Sequence, residues 1–207
     1  VKEVEIGGAK IPFGTDLIFM CNEVPEFKVA CEISDDLWSV EPPSVKHVLA
    51  GATVIANLSA SNELIGKAEY RRNLVTGQSA RLICGYISAN AGEGESTQDV
   101  VYSAHNMIAE NGVMLNESIW NEKEIVISEM DVQAIMSDRI KNTMFINEGA
   151  DNYKTVKFSI KTERTILTRY VEPMPFAGDD SYENREKYVI IAIISQSYSF
   201  RLHLLPS

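Results

Sequence analysis

The chain has 207 residues, of which 45% are hydrophobic, and it carries a formal net charge of −10. This length is enough for one sizeable hydrophobic core and too short for two full domains. The acidic balance argues against a nucleic acid or an anionic membrane surface as partner, because both require clustered Lys and Arg, and no apolar run approaches the ~20 residues of a membrane span.

Cysteine and histidine usage sets further limits. The three cysteines are an odd number without metal-type spacing, which favours a reducing cytoplasm. The three histidines share no ligand spacing, so the sequence predicts no metal site. No basic start followed by an apolar segment indicates a secretion signal. Because the chain does not begin with Met, we expect it to be a fragment of a longer protein.

The first third of the chain predicts strands. Alternating polar and apolar residues indicate an edge strand over residues 2–6, and Gly7-Gly8-Ala9-Lys10 is a hairpin turn signal. Residues 16–21 predict a second strand. Residues 27–33 predict a central strand, because Val29, Ala30, Cys31 and Ile33 are small or β-branched apolar residues that suit a strand covered on both faces.

Two of the predicted buried strands end abruptly in polar residues. Residues 27–33 stop at Ser34, and residues 53–58 are followed by the polar run 59–62. In a parallel sheet these two ends lie side by side. Turns at strand ends often hold nucleophiles, which makes Ser34 a candidate. The alternative is that Ser34 only caps a short helical turn through Asp36.

The remainder alternates helices and strands, which predicts an α/β fold. Apolar spacing predicts helices over residues 44–50, 66–80 and 132–142. Asn111-Gly112 between two apolar runs is the strongest short hairpin signal. A Gly- and Glu-rich loop is predicted earlier in the chain, at residues 90–97. Further strands are predicted over residues 82–89, 100–108, 113–117, 123–130 and 156–160.

The residues around Ser34 carry a family resemblance. The run Glu32-Ile33-Ser34-Asp35-Asp36 resembles the Glu-Ile-Cys-Glu-Asp of the glutaminase domain of glutamine-dependent NAD synthetases, which are members of the nitrilase (carbon-nitrogen hydrolase) superfamily. The likeness runs in one register over roughly residues 10 to 178. It is strongest over Ala56-Asn57-Leu58-Ser59-Ala60-Ser61-Asn62 and continues through Gly66-Lys67, Glu69-Tyr70-Arg71-Arg72, Gln78-Ser79-Ala80-Arg81 and Ala91-Gly92-Glu93-Gly94-Glu95-Ser96-Thr97.

This resemblance implies the fold and the division of the chain. It implies part of a nitrilase-like α-β-β-α sandwich, with residues 1–178 as the C-terminal part of the glutaminase domain. Residues 179–207 would be a linker and an atypical tail, because the β-prone, uncharged run 188–194 replaces the family's acidic amphipathic helix. We hypothesise that residues from about 185 onward are not native family sequence, which sequencing of the parent gene would decide.

The resemblance also implies a catalytic chemistry. These glutaminases use a Cys nucleophile, a Glu general base and a Lys that stabilises the tetrahedral intermediate. Ser34 occupies the nucleophile position, and the backbone N–H of Asp35 would contribute to the oxyanion hole. The family's Glu and Lys lie upstream of the nucleophile, and the early acids and lysines here do not sit in matching motifs. Cys31 is expected to be a small buried hydrophobe facing away from Ser34.

Three residues are substrate candidates by the same resemblance. Ser61 and Lys67 match the family's contacts to the α-carboxylate of glutamine. The alternatives are that Ser61 caps a loop and that Lys67 is a solvated helix charge. Trp38 walls the pocket or belongs to the core. Arg71, Arg72 and Arg81 are interpreted as structural, paired with Glu69, Glu93 or Glu95.

The function implied is a glutamine amidohydrolase that supplies ammonia within a glutamine-dependent NAD synthetase. We expect this fragment to be inactive or impaired, because it has no match for the family's Glu and Lys and carries Ser34 in place of the Cys. The alternatives are a free-standing nitrilase-type amidase or a catalytically dead binding or assembly module. No cofactor is expected in this chain, since ATP and Mg²⁺ belong to the synthetase domain. The expected partners are glutamine, that synthetase domain and further copies of the chain in a homo-oligomer, in the cytoplasm.

Overall fold

The structure is a computed structural model that describes residues 2–118, 125–145, 152–162 and 166–170. Residues up to Ile166 form one compact unit, and of a second unit that begins at Leu167 only residues 167–170 are described. The predicted tail, residues 179–207 with its run 188–194, lies outside the described residues, as does the proposed boundary at 178.

Within the described ranges the chain forms nine strands, three α-helices and two 3₁₀ turns. The three predicted helices and the hairpin at Asn111-Gly112 are confirmed. The strands are β1 Lys2–Ile6, β2 Ala9–Phe13, β3 Leu17–Cys21, β4 Lys28–Ile33, β5 Val54–Ser59, β6 Gly85–Asn90, β7 Met107–Glu110, β8 Val113–Glu117 and β9 Lys154–Phe158. The helices are α1 Pro43–Leu49, α2 Lys67–Leu82 and α3 Val132–Lys141, and the 3₁₀ turns are Ser34–Trp38 and Glu93–Glu95.

A seven-stranded mixed sheet with the order β8-β7-β6-β5-β4-β3-β9 forms the centre of the fold. Strands β4, β5 and β6 are mutually parallel, so their carboxyl ends reach one edge of the sheet, as predicted. Helices α1 and α2 make the two crossovers between them. Strands β1 and β2 form a separate antiparallel hairpin. This arrangement confirms the α/β class.

One face of the sheet packs against the helices and forms the core. Ala30 in β4, Ile55 in β5 and Tyr86 in β6 are buried there, together with Val48 of α1 and Val75 of α2. In β4 buried and exposed residues alternate from Ala30 to Ile33, as expected for a strand with one covered face.

The other face of the sheet is open at the carboxyl ends of the parallel strands. Ile33 and Leu58, which are register partners in β4 and β5, are 66% and 61% exposed. Parallel sheets usually have both faces covered. The described residues therefore supply one sheet layer and one helix layer of the expected α-β-β-α sandwich.

The prediction of a strand over residues 123–130 is wrong for residues 125–130, which are described. Residues 125–131 have no regular structure. This segment bonds to side chains instead of a neighbouring strand. The Asn116 amide donates to the Ile127 carbonyl at 2.8 Å, and the Glu110 carboxylate accepts from the Asp131 N–H at 2.6 Å. Met130 packs onto Gly85, where an added Cβ would overlap the Met130 sulfur.

The β7–β8 hairpin gives a test of the fold. Gly112 has a φ of +87°, and an added Cβ would lie 2.8 Å from the Cβ of Ala80 in α2. We expect Gly112→Ala to lower the free energy of unfolding by about 1–3 kcal/mol, through backbone strain and overpacking. Urea denaturation measures this change.

Gly77 is the matched control for this substitution. It lies inside α2, and a Cβ added there would have no described atom within 4 Å. Since Ala is the better helix former, Gly77→Ala should raise the free energy of unfolding by about 0.5–1 kcal/mol. Equal effects of the two substitutions would contradict the described hairpin packing.

Candidate active site

The chain turns sharply at Ser34, where β4 ends and a 3₁₀ turn begins. Ser34 has a φ of +48°, an uncommon conformation for a residue other than glycine that costs roughly 1–2 kcal/mol. Its hydroxyl does not cap the turn. The Asp36 carboxylate does so by accepting from the Ile33 N–H at 2.8 Å, and the Ser34 hydroxyl instead accepts from the Ala60 N–H at 3.2 Å. The capping alternative for Ser34 is therefore wrong.

Ser61 lies one residue beyond Ala60 and is only 3% exposed. Asn90, at the end of β6, holds its backbone through two hydrogen bonds. The Ser61 N–H donates to the Asn90 side-chain oxygen at 2.9 Å, and the Asn90 amide donates to the Ser61 carbonyl at 3.2 Å. The Ser61 hydroxyl itself has no hydrogen-bond partner among the described residues. It is therefore not a loop cap.

Lys67, the first residue of α2, is anchored at the same loop. Its ammonium donates to the side-chain oxygen of Asn62 and lies 5.2 Å from the ring centroid of Trp38. Trp38 is half-buried and stacks on Tyr70 with 5.2 Å between ring centroids. The ammonium and the positive end of the α2 dipole together favour a negatively charged group nearby. Lys67 is thus not a freely solvated charge.

The loop 60–62 joins the predicted site residues. The Ser34 hydroxyl contacts its first residue, Ser61 is its second, and the Lys67 ammonium contacts its third. Trp38 comes from the 3₁₀ turn that begins at Ser34. The exposed Asp35 follows Ser34 in that turn, where an N–H has no acceptor within the turn itself.

A buried ion pair between Arg71 and Glu63 joins helix α2 to the segment that follows this loop. Arg71 donates to the Glu63 carboxylate at 2.7 Å, and the Ser103 hydroxyl donates to the same oxygen at 2.6 Å. Burial lowers the pKa of Arg71, and the Glu63 charge opposes that shift. Arg72 makes two bonds to Glu117. The structural interpretation of Arg71 and Arg72 is confirmed, but these partners are not the ones predicted.

Sequence reasoning missed a buried polar network below Ser34. It consists of Glu32 in β4, Asn57 in β5 and Tyr86 in β6, all on the helix-covered face. The Tyr86 hydroxyl donates to Glu32, whose other oxygen accepts from the Ser44 N–H at 2.9 Å. Burial and the Glu32 charge raise the pKa of Tyr86. The available signal was Glu32 and Asn57, two polar residues that each lie between apolar neighbours in strands predicted to be buried.

Cys31 departs from its prediction. The sequence predicts a buried side chain, but the Cys31 side chain is exposed because it lies on the open face of the sheet. Partial desolvation raises the pKa of its thiol. It lines a cavity of about 440 Å³ beside β4 with Asp16, His47 and Tyr153. No group of three potential metal ligands lies close together in the described ranges, and no described helix is long and apolar enough to cross a membrane.

Comparison with known proteins identifies relatives of the chain. No protein-family model matches it. The glutamine-dependent NAD(+) synthetase of Mycobacterium tuberculosis is 38% identical over 86% of the chain and 28% of that protein. The Mycobacterium leprae and human proteins of the same name are 36% and 25% identical, over 86% and 79% of the chain and 28% and 24% of their own lengths.

A solved structure of a glutamine-dependent NAD(+) synthetase from Cytophaga hutchinsonii is 29% identical, with a TM-score of 0.46 over 56% of this chain and 17% of that one. The chain spans about a quarter of the length of the curated relatives it matches. Its residues, including the runs around Ser34 and Ser61, are therefore homologous to part of the glutamine-dependent NAD(+) synthetases.

Proposed function

We propose that this chain is the glutamine-recognising, amidohydrolase part of a glutamine-dependent NAD(+) synthetase, impaired in hydrolysis by Ser34. The homology supports the general relationship. The observation that carries the assignment is the loop 60–62, which contacts the Ser34 hydroxyl at one end and the Lys67 ammonium at the other.

The residues that contact this loop could bind both ends of glutamine, the α-carboxylate and the side-chain carboxamide. The Lys67 ammonium and the Ser61 hydroxyl would hold the α-carboxylate, since both can donate hydrogen bonds and one is positively charged. The Ser61 hydroxyl has no hydrogen-bond partner among the described residues and would make one of these bonds. Trp38 would form the wall beside the carboxylate. The carboxamide would then extend toward Ser34.

Hydrolysis begins with attack of the nucleophile on the carboxamide carbon, and the N–H of Asp35 would stabilise the oxyanion that forms. Ser34 suits this step poorly. A hydroxyl remains protonated near neutral pH, whereas a thiol loses its proton readily. The described contact of the Ser34 hydroxyl is the Ala60 N–H, a donor that cannot accept the proton. No residue in this chain is assigned as the general base.

The proposed fate of the ammonia is based on the similarity to glutamine-dependent NAD(+) synthetases. Ammonia released from glutamine would pass to a synthetase domain that uses ATP and Mg²⁺ to amidate deamido-NAD. We assign no residue of this chain to ATP or Mg²⁺. Assembly into a homo-oligomer and residence in the cytoplasm complete the proposal, and the free cysteines suit a reducing compartment.

Two measurements on the chain test this function. Calorimetric titration should show saturable binding of L-glutamine with a dissociation constant of about 1 mM or tighter, about 4 kcal/mol. An ammonia assay should show no turnover. Absence of binding at 20-fold higher glutamine concentration would contradict the glutamine site, and steady turnover would contradict the impairment. Hydrolysis of other amides in preference to glutamine would favour the free-standing amidase.

A further inference from the structure

We propose that Asn57 is a positioning residue that orients the oxyanion-binding N–H at the Ser34 turn. This inference rests on the proposed function, because it assigns a task to the peptide between Ser34 and Asp35. Asn57 lies in the middle of β5, beside Glu32 of β4, and is 2% exposed.

The side-chain amide of Asn57 reaches the turn directly. Its nitrogen lies 3.3 Å from the Ser34 carbonyl oxygen, 3.1 Å from the Tyr86 hydroxyl and 3.4 Å from a Glu32 carboxylate oxygen. An amide nitrogen has two hydrogens to donate, and these three acceptors surround it. Asn57 thus connects the buried network to the backbone of the turn.

This contact determines the direction of the next N–H. The C=O of Ser34 and the N–H of Asp35 belong to one planar peptide unit, and no cis peptide occurs in the described chain. In a trans peptide these two groups point in opposite directions. A carbonyl held inward by Asn57 therefore directs the Asp35 N–H away from the core, on the side where the nucleophile turn is accessible.

Packing alone does not account for Asn57. Its side-chain oxygen is buried and has no hydrogen-bond partner among the described residues, and such an atom costs roughly 1–3 kcal/mol. An aliphatic residue would avoid that cost, but the Ser34 carbonyl and the buried Glu32 carboxylate would each lose a donor. The positive φ of Ser34 also has to be held against its intrinsic cost. A contact that orients the turn explains both features.

The test uses a nucleophile that can be followed without glutamine. The starting protein is the full chain with Ser34→Cys and Cys31→Ser, so that the introduced thiol is the accessible one, since Cys21 and Cys84 are buried. Two rates are measured on it. Acylation by p-nitrophenyl acetate passes through an oxyanion, whereas alkylation by iodoacetamide does not, so their ratio reports oxyanion stabilisation.

Asn57→Leu in this background should lower the ratio of acylation to alkylation at least about tenfold, because a misdirected oxyanion donor loses much of its effect. Tyr86→Phe should leave the ratio within threefold, because it keeps the contact between Asn57 and Ser34. Thr53→Val is the matched control, because Thr53 is a buried polar residue just before β5 that donates to the Glu26 carbonyl. This substitution should leave the ratio of acylation to alkylation unchanged.

An unchanged ratio in a folded Asn57→Leu protein would overturn the proposal, as would an equal loss in Tyr86→Phe, which would indicate a general structural effect. If Asn57→Leu does not fold, Asn57→Ala is judged by the same criterion. Because neither reagent is glutamine, a failure of glutamine binding does not affect this result. The role of Asn57 and the glutamine site can therefore fail separately.

Discussion

In a Cys31→Ser background, Ser34→Cys should raise the rate of covalent capture by a glutamine chloromethyl ketone at least about a hundredfold over the same chain with Ser34. A thiolate is accessible near neutral pH and is a far stronger nucleophile than a hydroxyl. The Ala60 N–H, which now donates to the Ser34 oxygen at 3.2 Å, would also stabilise a thiolate at that position. Intact-protein mass spectrometry over time at pH 8 measures the rate.

Two controls separate recognition from simple thiol reactivity. Chloroacetone carries the same reactive group without the amino acid portion, so the introduced thiol should prefer the glutamine reagent at equal concentration. In the unsubstituted chain the exposed Cys31 thiol, whose pKa is raised, should show no such preference. Equal rates for the two reagents at position 34 would mean that the turn does not face a glutamine site.

Lys67→Met should weaken glutamine binding about 10- to 100-fold, because a charged hydrogen bond to a carboxylate contributes roughly 1.5–3 kcal/mol. Ser61→Ala should weaken it about tenfold for the loss of one donor. Removal of the Ser61 hydroxyl should not lower the free energy of unfolding, since this hydroxyl has no protein partner in the described structure. Calorimetric titration with L-glutamine and urea denaturation give the two quantities.

Lys46→Met is the matched control for Lys67. The Lys46 ammonium lies 3.2 Å from the Glu41 carboxylate, and its side chain is 69% exposed, so its pairing contributes little. Its loss should leave glutamine affinity unchanged within twofold. If Lys46→Met and Lys67→Met weaken binding equally, the effect reflects net charge, and the assignment of Lys67 to the carboxylate is wrong.

Local patterns in the sequence predict most of the fold. Apolar spacing predicts α3 to within one residue of its observed end at Lys141, and Asn111-Gly112 predicts the β7–β8 turn because both positions take positive φ. The side-by-side ends of β4 and β5 follow from their parallel pairing, which the apolar character of both strands indicates. The helix and the turn depend on neighbours close in sequence.

Features that depend on distant contacts were not predictable. Cys31 is exposed because no described layer covers its part of the sheet, and a strand pattern does not tell which face is covered. The network around Asn57 brings together three strands, and its contact with the Ser34 carbonyl requires the register of β4 against β5. Ser34 was identified by its motif, but its positive φ and its bond to Ala60 are visible only in the fold.

A crystal structure of the chain with L-glutamine tests the central claim most directly. The account predicts the α-carboxylate against the Ser61 hydroxyl and the Lys67 ammonium, with the carboxamide carbon about 3–3.5 Å from the Ser34 hydroxyl oxygen, which is the distance of a productive approach. Glutamine bound with its carboxylate on other residues, or with its carboxamide directed away from Ser34, would contradict it.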